Sequence, residues 1–220
     1  MPSPAPFTEY WGPRTGPPWE RDGASFASFM ATLKQAYSSP QLLFREMRRE
    51  GGLMAPLGFA FVGGMLAGLA ACCYQLGFQA LALIPNQPNG GAEVAAPLVV
   101  TLIVFLVGIP LGIIMQAFLL SAIFHLCLMI VGGANQPFET TYRVVNYGFG
   151  CATPLGLVPL CGPHIQMIFG LVLTGMGFAY AQETTGGKAT FAVLIPVIVC
   201  CGSIIAMYAV LFAALIAGAR

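Results

Sequence analysis

The chain has 220 residues, of which 57% are hydrophobic and only 8% are charged, and its formal net charge is +1. A soluble domain normally carries about 25% charged residues, so this composition excludes a water-soluble domain and indicates one integral membrane domain. The near-neutral charge also gives no reason to expect a nucleic-acid partner.

Residues 1–23 are rich in proline and polar residues, which predicts a disordered cytoplasmic tail. Trp11 and Trp19 are the only large side chains expected to fix this tail in place. They are typical of side chains that rest on the headgroup layer, and the alternative is a short motif that binds a partner.

Residues 24–50 carry apolar side chains at helical spacing, followed by a basic run, which predicts amphipathic helices. Ser39 and Pro40 are typical of an N-cap and the first residue of a second helix. One interpretation places these helices in the membrane interface and the other packs them on the bundle. The first predicts membrane-surface contacts by seven residues: Phe26, Phe29, Leu33, Phe44, Arg45, Arg48 and Arg49.

Residues 51–220 predict an all-α bundle of five transmembrane helices, because crossing a hydrocarbon core takes roughly 20 apolar residues per helix. The predicted spans are 53–84, 97–131, 139–160, 164–181 and 189–217. Pro110 predicts a kink in the second span. The third span is polar at its start and interrupted by glycine and proline, so it requires other helices around it.

The orientation follows from the positive charges. With five spans and a cytoplasmic N-terminus, eight of the nine Lys and Arg residues lie in the cytoplasm and only Arg220 lies outside. The positive-inside rule therefore predicts a cytoplasmic N-terminus and an external C-terminus, in a bacterial inner or cell membrane.

A candidate polar cluster occupies the end of the second span and the third span: His125, Glu139, Arg143, Asn146 and Tyr147. His125, with Gln116 and Ser121 on the same span, is either a titrating or ligand-contacting group or a hydrogen bond between helices. Glu139 and Arg143 have the favourable i, i+4 spacing. They form either a headgroup or partner site or a structural ion pair.

Small residues recur every fourth position along the first span, at Ala60, Gly64, Gly68 and Cys72. Such stripes let helix backbones approach closely. Packing inside the bundle is the default expectation, and a homo-oligomer contact is the alternative.

No sequence motif indicates a cofactor, a metal site or a catalytic set. The seven cysteines are odd in number and contain no CxxC spacing, which favours neither a disulfide framework nor a zinc site. Adjacent cysteines on a helix also point about 100° apart and chelate poorly.

The order of several short motifs resembles the Yip-domain family over residues 18 to 217. The motifs are Pro18-Trp19-Glu20, Ser39-Pro40, Phe44, Gly51-Gly52-Leu53 with Pro56, His125, Gly132-Gly133, Phe138, Thr141, Arg143, Tyr147, Pro154 and Pro159. The resemblance implies a five-span membrane protein related to the eukaryotic Ypt/Rab-interacting proteins, which bind prenylated small GTPases. The Pro-Trp-Glu motif is similar to that of prokaryotic members, whose cells lack that traffic machinery.

The leading functional hypothesis is a non-enzymatic scaffold or adaptor that binds membrane lipids or a protein partner at its cytoplasmic face. The alternative is a small transporter, channel or lipid scramblase, with a path along His125 and the broken third span.

Overall fold

The computed structural model describes residues 13–83 and 99–218, with side chains described for 13–81 and 99–212. The described ranges contain helices and no strand. The helices are α1 (Pro18–Arg21), α2 (Phe26–Ser38), α3 (Pro40–Glu46), α4 (Met54–Leu83), α5 (Val99–Ile130), α6 (Phe138–Ala152), α7 (Gly162–Ala181) and α8 (Gly186–Gly218). A 3₁₀ turn, Thr153–Leu157, extends α6.

Four of these helices are long and apolar enough to cross a membrane: α4, α5, α7 and α8. The fifth predicted span, 139–160, corresponds to α6 and its 3₁₀ turn, and α6 has only 15 residues. It ends where Pro154, Gly156 and Pro159 follow, because proline removes a backbone donor and glycine weakens a helix. The structure therefore provides four helices of spanning length where the sequence predicts five.

Helix α6 lies at the centre of the bundle. Its residues 140–148 and 150–152 are buried, and α4, α5 and α7 pack against it. Helix α8 packs on α5 and α7 and completes the outer layer. The outer helices expose mainly apolar side chains, whereas almost all side chains of α6 are buried. A polar helix is tolerated in a membrane domain when neighbouring helices shield it in this way.

The helices alternate in direction, and one end of the bundle collects the charges. At this end, the backbone N–H of Gly52 before α4 donates to Glu139 Oε1 at the start of α6. Lys188 Nζ, near the start of α8, donates to the carbonyl of Gly132 after α5. We call this the polar end; every described Asp, Glu, Lys and Arg lies there or in residues 13–50.

The 3₁₀ turn lies at the C-terminal end of α6, away from the polar end. There the hydroxyl of Tyr74, late in α4, donates to the carbonyl of Leu157 over 2.6 Å. At 1.5 Å per α-helical residue and about 2 Å per 3₁₀ residue, α6 and its turn extend roughly 30 Å. Their combined length therefore approaches the thickness of a bilayer core.

The N-terminal helices α1–α3 pack on the side of the bundle, from the polar end to the far part of α6, and this corrects two expectations. Phe29, Leu33 and Phe44 lie in the protein core and not on a membrane-facing surface, whereas Phe26 is 76% exposed. Residues 13–23 are folded and include α1, whose Trp19 is buried between α2 and α4. Part of the apolar face of these helices is therefore used for packing on the bundle, whereas Phe26, Met30 and Leu42 remain exposed. Residues 1–12, including Trp11, lie outside the described residues.

A distorted turn in α5 and the close contact between α4 and α5 both follow from the sequence. A π-helical turn, Val104–Gly108, lies directly before Pro110, which cannot donate a backbone bond and crowds the preceding turn. On α4, Gly64 and Gly68 face Ile113 and Ile109 of α5 so closely that an added Cβ would clash. The predicted small-residue stripe therefore serves packing between α4 and α5.

Candidate functional site

The side chain of Arg143 forms the centre of the polar end. It is 0% exposed, and it projects from α6 towards the N-terminal region. Its Nε donates to the carbonyl of Arg48 and its Nη1 to the carbonyl of Gly52, both over 2.8 Å. Its Nη2 donates to the carboxylate of Glu20 in α1. One buried guanidinium thus links α6 to both α1 and the segment that precedes α4.

The carboxylate of Glu20 has a second donor in the same site. The hydroxyl of Tyr147, one turn beyond Arg143 on α6, donates to Glu20 Oε1 over 2.6 Å. The Glu20 side chain is only 5% exposed. A buried carboxylate requires this kind of pairing, because an unpaired charge in a low-dielectric interior costs several kcal/mol.

The ion pair predicted between Glu139 and Arg143 is present but secondary. Glu139 Oε1 lies 3.6 Å from Arg143 Nη1, and it also accepts the backbone N–H of Gly52 over 2.7 Å. The sequence reasoning missed Glu20, because it assigned residues 1–23 to a disordered tail. The Pro-Trp-Glu motif was the available signal, since it holds a lone carboxylate beside a large apolar anchor.

His125 belongs to a separate hydrogen-bonded chain. Its Nδ1 lies 2.8 Å from Thr141 Oγ1 on α6, and the amide of Gln182 donates to the same oxygen over 2.8 Å. Gln182 Oε1 in turn accepts the backbone N–H of Gln136. These bonds join α5, α6 and the end of α7, so His125 has the geometry of a link between helices.

The predicted seam of Gln116, Ser121 and His125 is not continuous in the structure. Ser121 Oγ bonds to the carbonyl of Ala117 in its own helix. Gln116 instead lines a cavity of about 70 Å³ together with Asn146 and Gln166. This volume accommodates a few water molecules, at roughly 10–15 Å³ each. Asn146 therefore faces this small cavity and does not join the cluster around Arg143.

The arginines expected at the membrane surface mostly bind other parts of the protein. Arg48 Nε donates to the carbonyl of Thr15, and both Arg49 and Arg14 pair with Glu183 at the end of α7. Burial lowers the pKa of Arg14, the neighbouring charge of Arg49 lowers it further, and Glu183 opposes both. Arg45 lies over the ring of Tyr180 with 4.9 Å to the centroid.

The described residues contain no group of three His, Cys, Asp or Glu side chains that could hold a metal ion. All seven cysteines are free, and Cys72, Cys127 and Cys151 are buried.

The family model of the Yip1 domain matches residues 34–217, which is most of the chain. The chain belongs to the Yip1 domain family. No curated protein and no solved structure matches it. With its four apolar helices, this Yip1 domain protein is an integral membrane protein. The matched region contains Arg143 and Tyr147, whereas Glu20, whose carboxylate they bind in this chain, lies before it.

Proposed function

We propose that this Yip1 domain protein is a non-enzymatic membrane scaffold that presents a folded polar end to lipid or protein partners. One observation carries the proposal: the polar side chains of α6 that the sequence singled out have partners within the protein. Arg143 and Tyr147 bind Glu20, and Thr141 binds His125 and Gln182. Groups used in this way stabilise packing and are not free to coordinate a passing substrate.

The proposed topology has five crossings, with α6 and its 3₁₀ turn as the third. Two features support it: the alternation of helix directions, and the length of about 30 Å that α6 and the turn reach together. The cationic residues of the polar end favour the cytoplasmic side, with an external C-terminus, in the inner or cell membrane of a bacterium. No cofactor is required by this function.

The alternative function is transport of an ion, a small molecule or a lipid. The cavity lined by Gln116, Asn146 and Gln166 is the observation in its favour, since it places amide groups between α4, α5, α6 and α7. Its small volume and its separation from His125 argue against a path through the bundle.

Reconstitution distinguishes the two functions. Proteoliposomes of the purified full chain are expected to show no flux of common ions or fluorescent lipid above protein-free liposomes. The His125→Leu variant is expected to lose about 0.5–1.5 kcal/mol of unfolding free energy, because it loses the bond to Thr141. Wild-type flux that His125→Leu abolishes at unchanged stability would contradict the scaffold.

A crosslinking experiment tests partner binding at the polar end directly. A photo-crosslinking amino acid at exposed position 187 of the polar end, beside Lys188, is compared with one at exposed position 160 of the opposite end. The scaffold predicts reproducible crosslinks to a discrete partner at position 187 and none at position 160. Equal, diffuse crosslinking at both positions would contradict it.

A further inference from the structure

Helix α2 lies across the side of the bundle, between α4 and α7. Near its start, the ring of Phe29 packs against Phe59 of α4, with 4.9 Å between the ring centroids. At its end, the ring of Tyr37 stacks on Phe169 of α7 at 5.2 Å, and its hydroxyl donates to the carbonyl of Cys151 of α6. Helix α2 therefore crosses α6 on its way from α4 to α7.

These contacts place α2 inside the membrane-spanning part of the bundle. The apolar part of α4 begins at Met54, and Phe59 lies about 8 Å further along the helix at 1.5 Å per residue. The apolar part of α7 ends at Ala181, and Phe169 lies about 18 Å before that end. Half of a hydrocarbon core is about 15 Å thick, so both contacts lie at the depth of the acyl chains.

One face of α2 is polar and points towards the polar end. Thr32 Oγ1 accepts the backbone N–H of Trp19 over 3.0 Å, and Gln35 Nε2 donates to Glu46 Oε2 over 2.9 Å. Trp19 directly precedes Glu20, the partner of the buried arginine, and Glu46 is the last residue of α3, which returns to the end of α7. The bonds of this face therefore fix the rotation of α2 about its axis.

The opposite face of α2 is apolar and exposed. Phe26, Met30 and Tyr37 are 76%, 47% and 43% exposed. At 3.6 residues per turn they lie about 180° around the helix from the polar face, so they point towards the middle of the membrane. Two small apolar residues on the outer side of the helix are exposed as well: Ala27 and Ala31.

The polar groups beside this apolar face have partners within the protein. The Tyr37 hydroxyl is bonded to the Cys151 carbonyl, and Ser38 Oγ donates to the carbonyl of Lys34 over 2.8 Å. Such internal bonds are required where no water is available. Lys34 is the only charged residue of α2, and its long side chain can extend towards the headgroups.

The apolar face of α2 also adjoins the lipid-facing surfaces of its neighbours. Phe29 lines one small cavity together with Leu66 of α4, which is 48% exposed. At the other end of α2, Phe169 is followed back along α7 by Ile168, which is 60% exposed. The exposed apolar surface thus runs from α4 over α2 to α7.

We propose that α2 is embedded in the leaflet at the polar end, roughly parallel to the membrane plane, with its apolar face in contact with lipid acyl chains. The helix packs on the bundle by one face and meets lipid by another. This inference deepens the proposed lipid-binding role by naming the acyl chains as the partner of α2. It requires only that α4 and α7 cross the membrane.

Photo-crosslinking of the wild-type full chain tests the inference in liposomes that contain a phospholipid with a diazirine in its acyl chain. Trypsin cleaves after Arg21 and Lys34 and releases residues 22–34, which carry Phe26 and Met30. This peptide is expected to carry lipid adducts at the exposed positions of α2. Residues 15–21, released by cleavage after Arg14 and Arg21, are the matched control and are expected to carry none. Adducts absent from residues 22–34 would overturn the inference.

A nitroxide label measures the environment of the apolar face directly. The label is attached to Met30→Cys in an otherwise cysteine-free full chain, and its collisions with oxygen and with a water-soluble nickel chelate are compared. Val172→Cys, exposed on α7, is the lipid-facing reference, and Gly187→Cys at the polar end is the water-facing reference. The oxygen-to-nickel ratio at position 30 is expected to match position 172 and to exceed position 187 severalfold.

Two other arrangements have distinct outcomes. Water around α2 is favoured by the polar turn 38–41 that follows it, and a ratio at position 30 equal to that at position 187 would establish it and overturn the inference. A second copy covering α2 would leave position 30 inaccessible to both reagents, which would also overturn it. The scaffold proposal fails separately, because neither the flux measurement nor the crosslinks at position 187 depend on α2.

Discussion

Arg143→Gln is expected to lower the free energy of unfolding by about 3–5 kcal/mol, because it leaves a buried carboxylate without its cation. The variant retains Tyr147 as a donor to Glu20 but loses the ion pair and the bonds to the Arg48 and Gly52 carbonyls. Thermal unfolding in detergent measures the change, with a thiol-reactive dye reporting exposure of buried Cys151 in a background that retains only this cysteine.

The double variant Glu20→Gln/Arg143→Gln separates the charge effect from the loss of volume. It is expected to be more stable than Arg143→Gln alone, since no charge remains unpaired. Arg21→Gln is the matched control, because the Arg21–Asp22 pair is exposed to solvent and its loss should leave the stability nearly unchanged. An Arg143→Gln variant as stable as Arg21→Gln would show that the buried pair does not stabilise the fold.

Trp19→Ala is expected to cost about 3–5 kcal/mol, the range found when a large buried aromatic side chain is truncated. The indole packs edge-on against Phe29 and Phe59, at centroid distances of 6.2 and 5.7 Å. Its Nε1 donates to the carbonyl of Ala55 over 2.9 Å. The same thermal unfolding assay measures the loss.

Phe26→Ala is the control for the tryptophan, because it removes an exposed aromatic side chain from the next helix. It is expected to change stability by no more than about 0.5 kcal/mol. Equal stability of the Trp19→Ala and Phe26→Ala variants would mean that residues 13–23 are not packed on the bundle.

The apolar helices could be predicted from the sequence because their signal is local. Long uncharged stretches specify α4, α5, α7 and α8 whatever their neighbours are, and Pro110 marks the disturbed part of α5. The polar and broken character of residues 139–160 also predicted that other helices must surround this segment. Those conclusions need hydropathy and backbone chemistry alone.

The contacts of the N-terminal region could not be predicted in the same way. An amphipathic face with Phe29 and Leu33 has the same pattern whether it meets lipid or protein, so burial depends on the partner surface. The partner of Arg143 could not be identified from spacing either, because Glu20 lies 123 positions away and only the folded chain brings them together. Glu139, at i−4, was the local candidate and proved to be the weaker contact.

In the proposed five-span topology, α6 and its 3₁₀ turn carry the chain across the membrane between α4, α5 and α7. Exposed Cys161, in the turn between the 3₁₀ segment and α7, reports directly on this crossing. A protein that retains only Cys161 is compared in intact cells with a cysteine-free protein that carries Gly187→Cys at the polar end, where an added side chain meets nothing. A membrane-impermeant maleimide is expected to label Cys161 from outside and position 187 only after the membrane is permeabilised. Labelling of both positions from the same side would contradict the crossing of α6.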